Sequence, residues 1–194
     1  MNLTIRPLSS DLLEDYLYFF DEVAFVDNPH WRGCYCTYYH FNVSNNEWIK
    51  RTKEYNREAA KTLIKEEKLS GYLAYIDNKP VGWCNVNLKA NYSRLLSVKE
   101  IVEAEEGLSC SIVCFVIAPE YRGKGLASKI LEQICKDYSH KDFDYIEAYP
   151  MKGDLSNAHQ YHGPFSMYMN SGFTICKELD TYYIVKKNLK NNAL

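Results

Sequence analysis

The sequence predicts a mixed α/β (α+β) fold in which about seven strands alternate with a few helices, and three stretches carry that prediction. In the run Cys114-Phe115-Val116-Ile117-Ala118-Pro119-Glu120-Tyr121-Arg122-Gly123-Lys124-Gly125-Leu126-Ala127, an apolar strand, a glycine-bearing loop and a helix follow one another without a spacer. Upstream, Tyr72 to Ile76 and Val81 to Val86 flank the turn residues Asp77-Asn78-Lys79-Pro80, the pattern of a β-hairpin. Downstream, aromatic and branched residues recur in three short blocks, Phe143 to Tyr149, Phe173 to Cys176 and Tyr182 to Lys186, each of strand length.

Taken in chain order, a first strand around Leu3 to Arg6 ends at Pro7. Asp11 then stands where it can cap a helix with Leu12, Leu13, Tyr16, Leu17 and Phe20 on one face. The aromatic stretch Trp31 to Phe41 reads as a loop, and Glu47 to Lys68 as one charged amphipathic helix that stops near Ser70-Gly71. After the hairpin, Lys89 to Gly107 reads as a polar loop or short helix before the strand Cys110 to Ile117. Leu126, Ala127, Ile130, Leu131, Ile134 and Tyr138 share a helical spacing that turns one face of a long helix onto the sheet. A loop and short helix from Met151 to Ser171 lead to the last strands. With no internal repeat and no low-complexity segment, residues 1–194 are expected to form one domain.

The glycine loop is a place for an anion. Gly123 and Gly125 let the backbone approach a ligand, and the helix that starts there offers unpaired N–H groups and the positive end of its dipole, beside Arg122 and Lys124. A Walker A loop is excluded because Lys124 lies between the glycines, and a dinucleotide fingerprint because Ser128 stands where its third glycine belongs. What remains, Arg122 with Gly125 and Ala127 behind a strand, resembles the acyl-CoA loop of the GNAT superfamily of N-acetyltransferases, Gln/Arg-x-x-Gly-x-Gly/Ala. A second piece, Tyr168-Met169-Asn170-Ser171-Gly172-Phe173, is similar to the Tyr-x-x-x-Gly-Phe helix end of that superfamily, and the order of elements also matches.

The resemblance implies a mainly antiparallel sheet with one splayed parallel pair holding acyl-CoA, and acetyl-CoA as co-substrate. It implies that Val116 and Ile117 bond the pantetheine arm through their backbone, and that Arg122, Gly123, Lys124, Gly125, Leu126 and Ala127 take the pyrophosphate. Tyr168 becomes the general acid that protonates the departing thiolate. Relatives often carry a glutamate near the position of Ser111, so the base is sought nearby. Glu147 on the next strand is the first candidate and His162 the second. An asparagine that helps hold pantetheine is expected about seven residues before the tyrosine, whereas Asn157 lies eleven before it, across a longer loop, Tyr161-His162-Gly163-Pro164, that is placed to shape the acceptor pocket.

Composition narrows the partners. Lys plus Arg number 23 against 25 Asp plus Glu, a net charge of −2 that favours neither nucleic acid nor an anionic membrane. No apolar run reaches the ~20 residues of a membrane helix and the N-terminus lacks a signal-like apolar core, so the expected location is the cytoplasm. The seven cysteines are scattered over apolar segments, as reduced core residues are. Cys34 and Cys36, with His30 and His40 nearby, raise the question of zinc, but one intervening residue strains chelation of a single ion and no metal is expected. Instead Trp31, Tyr35, Tyr38, Tyr39 and Phe41 are expected to wall an acceptor site for a small amine, an organic cation or an amphipathic molecule. Two functional classes are compatible with these residues: an acetyl-CoA-dependent N-acetyltransferase, alone or as a homodimer, and an acyl-CoA-binding module without catalysis.

Overall fold

The structure, a computed structural model, describes residues 2–104, 107–156 and 159–190, so Asn157 lies outside the described residues. Its strands are β1 (Leu3–Pro7), β2 (Gly71–Ile76), β3 (Lys79–Leu88), β4 (Ser109–Ile117), β5 (Tyr145–Ala148), β6 (Thr174–Glu178) and β7 (Tyr183–Asn188). They form one sheet in the order β1-β2-β3-β4-β5-β7-β6, antiparallel everywhere except between β4 and β5. The helices are α1 (Leu13–Tyr18), α2 (Asn45–Ile49), α3 (Lys53–Lys65), α4 (Lys99–Val102), α5 (Leu126–Tyr138) and α6 (Phe165–Asn170).

Alternation along β2 shows how the sheet is covered. Tyr72 and Ala74 join the cluster made with α5, through Ile130, Leu131 and Ile134 against Val86, Ile112 and Ile146. Leu73 and Tyr75 point the other way, into a cluster with Tyr16, Leu17 and Phe20 around α1 and with Ile64 of α3. Period-2 alternation therefore places the two helical layers on opposite faces. Trp83 anchors the second layer, fully buried and meeting Tyr16 edge-on at 5.0 Å.

Several local expectations change for identifiable reasons. The hairpin turn is two residues, not four: Asp77 and Asn78 both take left-handed backbone, at φ 47° and 67°, which frees Lys79 and Pro80 for β3. The helix expected over Glu47 to Lys68 is two helices. Ser44 and Glu47 form a reciprocal capping box on α2, and Thr52 caps α3 anew, so two N-cap signals eight residues apart restart the chain. Asp11 caps nothing; it lies inside a 3₁₀ turn, Ser10–Leu12, where Ser9 donates to its carboxylate. Helix α1 runs on through a π-helical turn, Phe19–Val23, which carries the chain toward the glycine loop.

The feature that positions the site is the limited pairing of β4 with β5. Only Ser109 to Ile112 pair with Tyr145 to Ala148. Beyond Ile112, β4 continues to Ile117 on β3 alone, with Gly82 opposite Ile117. The second half of β4 therefore turns one edge away from the sheet, at the splay the resemblance implied.

Candidate active site

From the end of β4, a 3₁₀ turn at Pro119–Tyr121 leads to Arg122, and Gly123 and Gly125 then take φ 69° and 78°. Only glycine holds that backbone at little cost, and Gly125 is the N-cap of α5 with no side chain capping it. A Cβ added at either glycine would meet nothing within 4 Å, so the space above the loop is open. The first turn of α5 thus presents its N–H groups to that space, as an anion site does. Leu126 is buried in the core and Ala127 packs against it, so both face the loop through backbone alone.

Arg122 is committed elsewhere. Its guanidinium pairs with both carboxylate oxygens of Asp27, at 2.5 and 3.2 Å, and donates 2.9 Å to the Ile117 carbonyl. Asp27 is correspondingly held below the usual carboxylate range, by the Arg122 hydrogen bond above all. The arginine therefore ties the loop to the chain after α1, and Lys124 is left as the cation beside the glycines.

A cleft of about 580 Å³ lies along the open half of β4. Cys114, Phe115, Val116 and Ile117 form its floor; Trp31, Tyr38, Tyr39, Trp48 and Tyr161 stand around it. Two residues expected in this wall are not in it. Tyr35 is fully buried, its hydroxyl donating to Asp21, and Phe41 lies under the Arg51 guanidinium, 4.0 Å from ring to Cζ. Trp48, Arg51 and Tyr161 line the cleft from segments that sequence reasoning assigned to a continuous helix or an insertion. A signal for the first two existed, since Thr52, an N-cap residue, starts a new helix directly after Arg51.

Cys34 and Cys36 both line the cleft as free thiols, and Asn85 donates 3.0 Å to the Cys36 carbonyl. Among the described residues no group of three or more His, Cys, Asp or Glu is placed to hold a metal ion.

The loop before α6 closes the cleft on the side of the splay. The Tyr161 carbonyl accepts from the Phe115 N–H at 2.5 Å, on the free edge of β4. The Tyr168 hydroxyl, fully buried, donates 2.6 Å to the His162 carbonyl. Gly163, at φ 82°, makes this close approach feasible: a Cβ there would stand 2.7 Å from Met167 and 3.0 Å from the Tyr168 hydroxyl. The same loop walls a second hollow of about 370 Å³ on its other side.

His162 is buried, and burial pushes its imidazole down to about 4, so it is neutral at pH 7. Its Nε2 lies 3.0 Å from the Tyr39 hydroxyl, while Nδ1 is buried without a partner. Tyr39 faces the cleft. Burial raises the phenols of Tyr39 and Tyr168 well above their usual range, so both stay protonated at neutral pH.

Glu147 does not reach the cleft. It is fully buried beside Ser111, its register partner across the parallel pair, and its carboxylate lies 3.1 Å from the Lys89 ammonium. The Tyr149 hydroxyl donates to it as well and stands 2.9 Å from the Ser111 hydroxyl. With both oxygens engaged by a cation and a phenol, this carboxylate is a structural ion pair in the geometry described.

The chain matches the model of the acetyltransferase (GNAT) family over residues 29–162. In structure it is similar to the PaiA N-acetyltransferase of Thermoplasma acidophilum solved with coenzyme A, at 18% identity and TM-score 0.56, covering 97% of this chain and 99% of that one. It is similar also to an N-acetyltransferase of Staphylococcus aureus Mu50, at 12% identity and TM-score 0.57, covering 98% and 100%. A GNAT-family acetyltransferase of Streptococcus pneumoniae matches at 14% identity and TM-score 0.55, covering 97% and 100%. No curated protein matches the chain in sequence.

Proposed function

Because the chain belongs to the GNAT acetyltransferase family, we propose that it transfers an acetyl group from acetyl-CoA to the amine of a small acceptor held in the aromatic cleft. One observation carries this reading: the uncapped, glycine-opened start of α5 and the aromatic cleft meet at the same end of β4 and share Ile117 and Arg122 as neighbours. An anion site and an amine-sized pocket joined by a strand edge that no other strand covers suit a ligand with a phosphorylated end, an extended arm and a reactive thioester. No helix among the described residues is long and apolar enough to cross a membrane. The free thiols suit a reducing compartment, and we assign the enzyme to the cytoplasm.

The residues divide the work as follows. The N–H groups at Gly123, Lys124, Gly125 and the first turn of α5 bind the pyrophosphate, with Lys124 adding charge and Arg122 fixing the loop. Val116 and Ile117 hold the pantetheine arm as a short extra strand. Bound acetyl-CoA supplies an activated acyl carbon, and direct attack by a neutral amine forms the C–N bond as the C–S bond breaks. Tyr168 gives the departing sulfur its proton. In the free protein its hydroxyl is held by the His162 carbonyl, and the Phe115 N–H by the Tyr161 carbonyl, so one loop keeps both donors satisfied.

For the proton leaving the amine, we assign the Tyr39–His162 pair in place of Glu147. Tyr39 faces the cleft, and its hydroxyl can pass a proton to a neutral imidazole 3.0 Å away. The decisive measurement is release of free thiol from acetyl-CoA with a panel of amines, beside calorimetry of CoA binding. Binding with no thiol release for any amine would leave the non-catalytic module as the correct reading.

A further inference from the structure

The charge around the cleft identifies the kind of acceptor. Among the described residues that line it, none is Asp or Glu, and of its two arginines Arg122 is paired with Asp27 whereas Arg51 is not. Two of the rings that line it, Trp48 and Tyr38, already carry the protein's own cations. Arg51 stacks on Phe41 at 4.0 Å and lies 5.5 Å over Trp48, and Arg94 stacks on Tyr38 at 3.9 Å. A second cation brought to these rings meets like charge without compensation.

Arg51 has the opposite requirement. Its Nη1 is buried with no hydrogen-bond partner, and among the described residues no carboxylate forms an ion pair with it. Glu47, which senses the Arg51 charge, has its carboxylate bonded to Ser44 instead. Asn56 complements it. That side chain is buried on the cleft wall, its amide nitrogen donates 2.7 Å to the Gly33 carbonyl, and its oxygen is left without a donor. A buried guanidinium donor and a buried amide acceptor, both unpaired and both on one cleft, are costly to leave empty and define a ligand by its complement.

We propose that the acceptor is an amine that also bears a carboxylate and an apolar body, an aromatic or branched amino acid, with its carboxylate on Arg51 and an N–H on the Asn56 oxygen. This rests on the acyl-transfer reading of the same cleft.

The test compares phenylalanine with phenylalaninamide, and (aminomethyl)benzoate with its amide, as acceptors at saturating acetyl-CoA, following thiol release. The wild-type protein should prefer each acid by about 10- to 100-fold in kcat/KM, the range of a charge-assisted hydrogen bond, even though the neutral amide leaves more of the amine unprotonated. Arg51→Gln should erase the ratio of acid to amide, mainly through KM of the acids, and Arg51→Lys should restore part of it. Equal turnover of acid and amide by the wild-type protein would overturn the carboxylate assignment. If no amine releases thiol, the acyl-transfer reading fails on its own, and calorimetric titration of phenylalanine into the CoA-saturated protein still decides the matter. Heat lost in Arg51→Gln and regained in Arg51→Lys supports the assignment; no binding by the wild-type protein refutes it.

Discussion

Replacing Tyr168 by Phe separates what its hydroxyl does for the fold from what it does for the reaction. The ring is fully buried and packs at 5.1 Å on Phe173, contacts that Phe retains. What disappears is the 2.6 Å hydrogen bond to the His162 carbonyl, which then stays buried without a donor. That costs about 1–3 kcal/mol. At about 2–4 °C per kcal/mol for a chain of this size, Tm should fall by roughly 2–12 °C. Turnover should fall much further, by about 10²- to 10⁴-fold in kcat, because acid catalysis of the departing thiolate is lost.

CoA affinity provides the third reading. The loop that Tyr168 tethers also occupies the Phe115 N–H, so loosening it should leave CoA binding unchanged or up to about tenfold tighter, the worth of one neutral hydrogen bond. Thermal melting, single-turnover thiol release and calorimetry measure the three quantities separately. A kcat within about twofold of wild type, with the chemical step shown to limit the rate, would remove Tyr168 from proton transfer. Markedly weaker CoA binding would refute the tethering argument instead.

Gly125→Val should cost about 1–2 kcal/mol of stability for left-handed backbone and meet no clash in the free protein, since nothing lies within 4 Å of a Cβ there. Calorimetry should nevertheless show CoA binding abolished, and unchanged affinity would rule out the α5 start as the pyrophosphate site. Glu147→Gln leaves the half-buried Lys89 ammonium without its counter-charge and should lose about 3 kcal/mol in denaturant melts while the pH–rate profile keeps its shape. A flattened acidic limb would instead restore Glu147 as the base. Burial holds His40 and His162 down at about 4, against about 6.5 when unfolded. The unfolded chain then takes up protons first, so stability is full above about pH 6.5 and is lost as pH falls toward 4, by about 2 kcal/mol per histidine at pH 5. Identical denaturation midpoints at pH 7 and pH 5 would contradict that.

The strands were legible because period-2 alternation and apolar runs are local properties. Cys110 to Ile117 and the spacing Leu126-Ile130-Ile134 say on their own which element they form and which face they bury. Boundaries set by competition between neighbours were less so. The break between α2 and α3 depends on two side chains, Ser44 and Thr52, each outbidding continuation of one helix, and the charge pattern over Glu47 to Lys68 suits either outcome. The positive φ of Tyr35 and Cys36 has no marker in residue type, and it is this turn that buries Tyr35 and leaves Tyr38 and Tyr39 toward the cleft.

Site residues divide along a different line. Gly123 and Gly125 are readable as left-handed loop positions because that property belongs to the backbone and needs no partner. A side chain's role depends on which partner reaches it first, and the sequence does not record that. Arg122 is matched by the family pattern, yet its charge is spent on Asp27, ninety-five residues upstream. Glu147 is a carboxylate on the expected strand, yet Lys89 lies within 3.1 Å of it. Arg51 carries no motif and falls inside the helix expected over Glu47 to Lys68, but it is the cation that reaches the cleft without a counter-ion among the described residues. Chemistry is therefore to be sought where a charged or polar atom is buried and still unpaired, and on that criterion Arg51, Asn56 and His162 outrank the two residues whose types matched the pattern better.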